Sequence, residues 1–219
     1  MVMKLLLTSN GLANEEIAQT LFELVGKKPE DTSIVFVPTA SNVEEGDKVW
    51  LIDDLMNLKK QHFKSIAIVD IAAVAENIWR PQMEEADVLL FGGGNTYYLM
   101  EWMNKCGLAP ILPDMLKTKV YAGISAGSMV TAPDLDLKRL KAIYGEEAEL
   151  DEIKGLGYVD FYFLPHLNSP EFTPRVETTI DEAMKGITRK TYVLDDQSAL
   201  TVVDGVVEMV GGGTHLEYN

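Results

Sequence analysis

Cysteine is almost missing from this chain: Cys106 stands alone, so no disulfide can form within it. Histidine is nearly as scarce, and a search for a general base is confined to His62, His166 and His215. Basic residues are few, with 19 Lys and Arg against 34 Asp and Glu and a net charge of −15. Neutralising phosphates requires clustered cations, so this balance speaks against nucleic acid and against anionic membrane surfaces as partners. No apolar run approaches the roughly 20 residues of a membrane span. The opening Met1–Leu7 reads as a strand running into Thr8-Ser9-Asn10-Gly11, not as a signal peptide. His, Cys and carboxylates nowhere share metal-ligand spacing, so neither a metal nor another cofactor is expected. Repeats, low-complexity tracts and Pro/Ser-rich linkers are also lacking, and the acidic stretch Glu146–Glu152 reads as an exposed loop or helix face. These absences predict one cytoplasmic domain over residues 1–219, with a homo-oligomer compatible with the sequence.

What remains is enough apolar material for one sizeable core, 47% of 219 residues, arranged in a repeating order. Short apolar runs end in small or polar residues and give way to segments of helical spacing. Lys4–Thr8 precedes Asn14–Val25, where Ile17, Leu21, Phe22 and Leu24 form a stripe; Ser33–Pro38 precedes Lys48–Gln61, with Leu51, Leu55 and Leu58 in register. Further strands are expected at Ser65–Ile71, Val88–Phe91 and Lys119–Ile124, and helices at Thr96–Asn104 and from Ser125 onward. Continuous runs such as Ile34-Val35-Phe36-Val37 suit strands buried on both faces, so the expected fold is a doubly wound α/β sandwich around a mostly parallel sheet. Past residue 158 the runs crowd together at Tyr158–Leu164, Tyr192–Leu194, Ala199–Val203 and Val206–Met209. Asp204-Gly205 between the last two predicts an antiparallel hairpin at one edge.

In such sheets chemistry sits beyond the carboxyl ends of the strands. Gly123-Ile124-Ser125-Ala126-Gly127 lies there, at a strand-to-helix junction, in the G-x-S-x-G pattern of a nucleophile elbow. A serine nucleophile needs a base. His62 sits in Lys59-Lys60-Gln61-His62, a solvated helix end, and His215 is close to the terminus, where a chain can fray. His166 follows the strand Phe161–Leu164 and is the candidate. The base needs a carboxylate to fix its tautomer; Asp195 and Asp196 follow another strand, and Asp134 and Asp136, after the elbow, compete with them. Gly92-Gly93-Gly94 and the N–H of Ala126 could supply donors to an oxyanion. A phosphate-cradling role for the glycines ranks lower, because the Walker lysine and the spaced glycine of a dinucleotide fingerprint are both missing. Cys106, at a helix end, reads as a buried bystander.

Four segments in order, Phe91-Gly92-Gly93-Gly94-Asn95-Thr96, Gly123–Gly127, Leu164-Pro165-His166-Leu167 and Leu194-Asp195-Asp196-Gln197-Ser198-Ala199-Leu200, resemble the peptidase E family of serine peptidases, the group of aspartyl dipeptidase and cyanophycinase. The resemblance spans nearly the whole chain. It implies a fold like the class I glutamine amidotransferases, with Ser125 as nucleophile, His166 as general base and an acid at Asp196, where the family often has Glu. It further implies hydrolysis of short peptides through an acyl-enzyme, an oxyanion hole at Gly93, Gly94 and Ala126, and substrate binding by Asn95 and by Arg175, one of only four arginines. The alternative is a non-catalytic module on the same scaffold that binds a small molecule or peptide.

Overall fold

The computed structural model describes residues 3–136, 140–146, 153–170 and 175–219. Seven strands, β1 (Lys4–Thr8), β2 (Ser33–Val37), β3 (Ser65–Ile68), β4 (Val88–Phe91), β5 (Val120–Ile124), β10 (Ala199–Val203) and β11 (Val206–Val210), form one sheet in the order β11-β10-β1-β5-β4-β2-β3. The five from β1 to β3 in that order run parallel, while β10 and β11 close the edge antiparallel.

Side chains alternate along a strand, so Leu5 and Leu7 of β1 enter one apolar layer and Leu6 the other. Helices α3 (Glu76–Glu85), α4 (Thr96–Lys105), α5 (Leu108–Met115) and α6 (Ala126–Met129) fill the first layer through Trp79, Leu99, Leu112 and Met129. Helices α1 (Glu15–Val25) and α2 (Val49–Lys60) fill the second through Leu21 and Leu58. The start of α1 follows from its sequence: the Asn14 side chain accepts from the Ile17 N–H at the N-cap, and Gly26, at φ 75°, ends the helix in the left-handed conformation. This is the doubly wound sandwich expected from the strand composition. No described helix is long and apolar enough to cross a membrane.

After β5 the chain builds a second layer of structure. Strands β8 (Tyr162–Leu164), β9 (Thr191–Leu194) and β12 (His215–Tyr218) make a separate sheet, with α7 (Glu177–Met184) packing Ile180 and Met184 near Leu164 and Val193. Strands β6 (Asp134–Leu135) and β7 (Ile153–Lys154) pair in a two-stranded ladder. The β10–β11 hairpin turns on Asp204 (φ 52°) and Gly205 (φ 79°), two left-handed residues in succession, as an Asp-Gly turn requires.

Several expectations shift in detail. The strand expected over Ser65–Ile71 ends at Ile68, and that expected over Tyr158–Leu164 begins at Tyr162. Helices α3 and α5 carry interior prolines, Pro81 and Pro113, which obscure their helical signal. His215 lies on β12, paired opposite Leu194, and is not frayed. Glu146 turns inward instead of lying on an exposed face, and Glu147–Glu152 lie outside the described residues.

The two apolar layers and the exposed edge give contrasting expectations. Leu6 is fully buried between helices and sheet, so Leu6→Ala should cost about 2–5 kcal/mol in urea unfolding. Ile68, 56% exposed on edge strand β3, should lose less than about 0.5 kcal/mol on the same change.

Candidate active site

Ser125 links β5 to α6 with φ 48° and ψ −107°, a strained conformation for a residue with a side chain, and one that lifts its hydroxyl clear of the sheet. Both flanking glycines are demanded by close approach: a Cβ on Gly127 would lie 2.0 Å from the Phe91 carbonyl oxygen, and one on Gly123 would lie 2.5 Å from the Ser128 nitrogen. The turn is pinned to β1, since the Ser125 N–H and the Ser128 hydroxyl both donate to the Thr8 carbonyl, at 3.0 and 2.9 Å. The Tyr121 hydroxyl holds the Gly127 carbonyl at 2.5 Å.

His166 follows β8 and is 8% exposed, with its backbone also left-handed at φ 68°. Its Nδ1 lies 2.6 Å from Asp196 Oδ1. Ser9, in the loop after β1, joins the pair: its Oγ accepts from the His166 N–H at 2.7 Å and donates to Asp196 Oδ1 at 3.0 Å. Burial alone would raise the Asp196 carboxyl. The hydrogen bond and charge of His166, with the Ser169 and Ser9 hydroxyls, outweigh burial and hold it below the ordinary carboxylate range.

The competing acids are employed elsewhere. Asp195 accepts from the N–H groups of Gln197 and Thr214 and from the Ser198 hydroxyl, which makes it the organiser of the β9–β10 turn. Asp134 accepts from Arg189 at 3.0 Å and from the Tyr162 hydroxyl at 2.5 Å. With Asp136 it lines a separate small cleft that does not include Ser125. His62 is exposed at the end of α2, and Cys106 caps α4, where burial raises its thiol.

Ser125, His166 and Asp196 line one cavity of about 670 Å³, together with Gly93, Gly94, Asn95 and Arg175. Gly93 abuts the elbow, since a Cβ there would be 3.4 Å from the Ser125 Cβ. Gly94, at φ 122°, passes so near Ala40 that a Cβ would lie 2.3 Å from its carbonyl oxygen. Asn95 accepts from the Tyr98 N–H and so also caps α4. The Arg175 guanidinium lies over the Tyr144 ring, 4.2 Å from its centre; burial depresses its pKa, and Tyr144, Glu146, Asp196 and Glu44 act in the opposite direction.

Sequence reasoning missed Ser9, Tyr144, Glu146, Trp50 and Asp54, all placed here by the fold. Only Ser9 carried a signal, since Thr8-Ser9-Asn10-Gly11 follows the carboxyl end of a strand, where such folds keep their chemistry. Glu146 accepts from the N–H and hydroxyl of Thr96, both at 2.9 Å, yet burial brings its carboxyl up to about 7. Burial, reinforced by neighbouring Asp53, does the same to Asp54 on α2. Among the described residues no group of three or more His, Cys, Asp or Glu could hold a metal ion. The Asp54 shift fixes the sign of a pH effect. A raised folded-state value favours the protonated acid, so the penalty is absent below the ordinary 3.8, grows as pH rises and is complete above about 7. Asp54→Asn should therefore raise the melting temperature markedly at pH 8, by the equivalent of a few kcal/mol, and little at pH 4, as thermal unfolding would measure.

The model of Peptidase family S51 matches residues 5–210. The uncharacterized peptidase PM1590 of Pasteurella multocida is 29% identical over 153 residues, covering 69% of this chain and 73% of its own. Peptidase E of Streptomyces coelicolor is 28% identical over 175 residues, covering 77% and 66%. A crystal structure of a candidate peptidase E protein from Listeria monocytogenes shares the fold, with a TM-score of 0.81 at 22% identity over 97% of this chain and 100% of that one. Since the match takes in the elbow, the His166 loop and the Asp196 turn together, the chain belongs to peptidase family S51, a family of serine-type peptidases.

Proposed function

We propose that this peptidase hydrolyses short peptides, in the manner of a dipeptidase, through an acyl-enzyme on Ser125. The observation that carries the reading is the strained Ser125 sharing a cavity with His166, whose far ring nitrogen is held by Asp196 at 2.6 Å. Ser125 Oγ attacks the peptide carbonyl while His166 Nε2 takes its proton. The carbonyl oxygen, now an anion, faces the N–H groups of Gly93, Gly94 and Ala126. His166 then gives the proton to the departing amine, and water repeats the sequence to release the acid and restore Ser125. Asp196, ionised well below neutral pH, accepts the Nδ1–H and stabilises the imidazolium that forms between the two transfers.

The cavity's size supports a short substrate, since about 670 Å³ falls within the range of small-ligand clefts. Arg175 and Asn95 are the groups assigned to bind it, the Arg175 guanidinium pairing with a carboxylate of the peptide.

Hydrolysis of Asp-Leu, Glu-Leu, Ala-Leu and Leu-Leu, with chelator present, tests this beside labelling by a fluorophosphonate. Ser125→Ala should lose labelling and about 10⁶-fold in kcat. Asp196→Asn should keep the fold but lose on the order of 10⁴-fold, because the wrong His166 tautomer then faces Ser125. Hydrolysis that survives in Ser125→Ala sinks the mechanism. A wild type that neither cleaves nor labels points to the binding module instead.

A further inference from the structure

The cavity is strongly acidic. Glu44, Glu45, Asp54, Glu146 and Asp196 line it, against Arg175 and His166. Acidic residues alone do not make a site, and two of these are already engaged, Asp196 by His166 and Glu146 by Thr96. Asp54 differs from them. It is 5% exposed, lines the cavity and has no hydrogen bond or ion pair from any described residue. A buried carboxylate without a partner is among the least tolerated groups in a protein interior, and here the open side of the group is the cavity.

Its position gives the ligand a chemistry. Trp50 and Asp54 are one turn apart and face the same way on α2. Trp50 reaches to 3.8 Å from where a Cβ on Gly93 would sit, next to the Ser125 elbow. Asp54 Oδ1 is 3.3 Å from the corresponding point on Gly11, which itself meets the Ile124 side chain at 2.9 Å. The inner face of α2 thus forms a wall along the elbow, presenting an indole ring and a carboxylate, the pair of groups that together hold an organic cation. Arg175 belongs to another part of the lining, over the Tyr144 ring. The cavity therefore carries separate anionic and cationic stations.

We propose that Asp54, with Trp50, forms a subsite for a protonated amine of the substrate, either the α-ammonium group of a short peptide or the ammonium group of a lysine side chain beside the scissile bond. The assignment rests on the cavity being the substrate site, and it names the class of substrate: a peptide with a cation at the α2 wall and an anion toward Arg175. An unblocked dipeptide is such a molecule.

Binding, not turnover, separates this from the catalytic reading. In the full-length Ser125→Ala protein, tryptophan fluorescence would follow titration with Ala-Leu, Nα-acetyl-Ala-Leu and Nα-acetyl-Lys-Leu. A charged hydrogen bond of this kind should give an amine-bearing ligand at least about ten-fold tighter binding than Nα-acetyl-Ala-Leu. Asp54→Asn in the same background should bring that preference to within about two-fold and leave Nα-acetyl-Ala-Leu unchanged. Preference for Ala-Leu identifies the α-ammonium source, and preference for Nα-acetyl-Lys-Leu the side-chain source. The proposal is overturned by equal binding of all three, by binding of none, or by a preference that survives Asp54→Asn. Amine binding that depends on Asp54, in a protein whose wild type cleaves no peptide, would keep the subsite and discard the peptidase mechanism.

Discussion

The backbone at Ser125 is the constraint on which the site hangs. A serine at φ 48° is unfavourable by on the order of 1–3 kcal/mol, and it persists only because its surroundings leave no alternative. Gly127 lies against the Phe91 carbonyl, the Ser125 and Ser128 groups are tied to Thr8, and Phe91 and Thr8 belong to the two strands that flank β5. The sheet therefore stores the strain, and the apolar layers on both of its faces hold the sheet. Gly93, Gly11 and Trp50 take their places relative to this one turn.

Around the elbow, electrostatics divides the carboxylates by their partners. Asp196, satisfied by His166 and hydroxyls, is kept ionised; Asp54 and Glu146, taken out of water, are pushed toward neutrality. Burial pushes all three up, but Asp196 is the least buried and has a histidine partner beside its hydroxyl donors, and the two differences together decide the outcome. A fold that leaves Asp54 buried without a partner carries a stability loss at neutral pH.

The parts of this architecture readable from sequence are those governed by local rules. Continuous apolar runs ending in small or polar residues found β1, β2, β4 and β5; the stripe through Ile17 and Leu21 found α1; Asp204-Gly205 found the hairpin; and the glycine spacing found the elbow. The parts that escaped depend on contacts distant along the chain. Asp54 looks like any acid on a surface helix until α2 is laid against Gly11 and Ile124. Ser9 acquires its place only when β1 lies beside β10, which brings residues 157 and 187 positions away into hydrogen-bond reach. The prolines of α3 and α5 hid helices that tertiary packing of Trp79 and Leu112 nonetheless enforces. From the residues alone Asp195 and Asp196 stand level, and the resemblance points to Asp196; Asp196 lies against His166, and Asp195 is bonded within its own turn.

His166 follows β8 of the small sheet, while Asp196 lies where the chain leaves β9 of that sheet to enter β10 of the large one. Ser9, bonded to both, is anchored on the large sheet. The His166–Asp196 hydrogen bond thus joins two separately hydrogen-bonded sheets. The sheets share one apolar core, in which Phe163 and Leu194 sit with Leu5 and Phe91. The packing that holds this core therefore also holds the pair in line, and whatever loosens the layer between the sheets disturbs both at once.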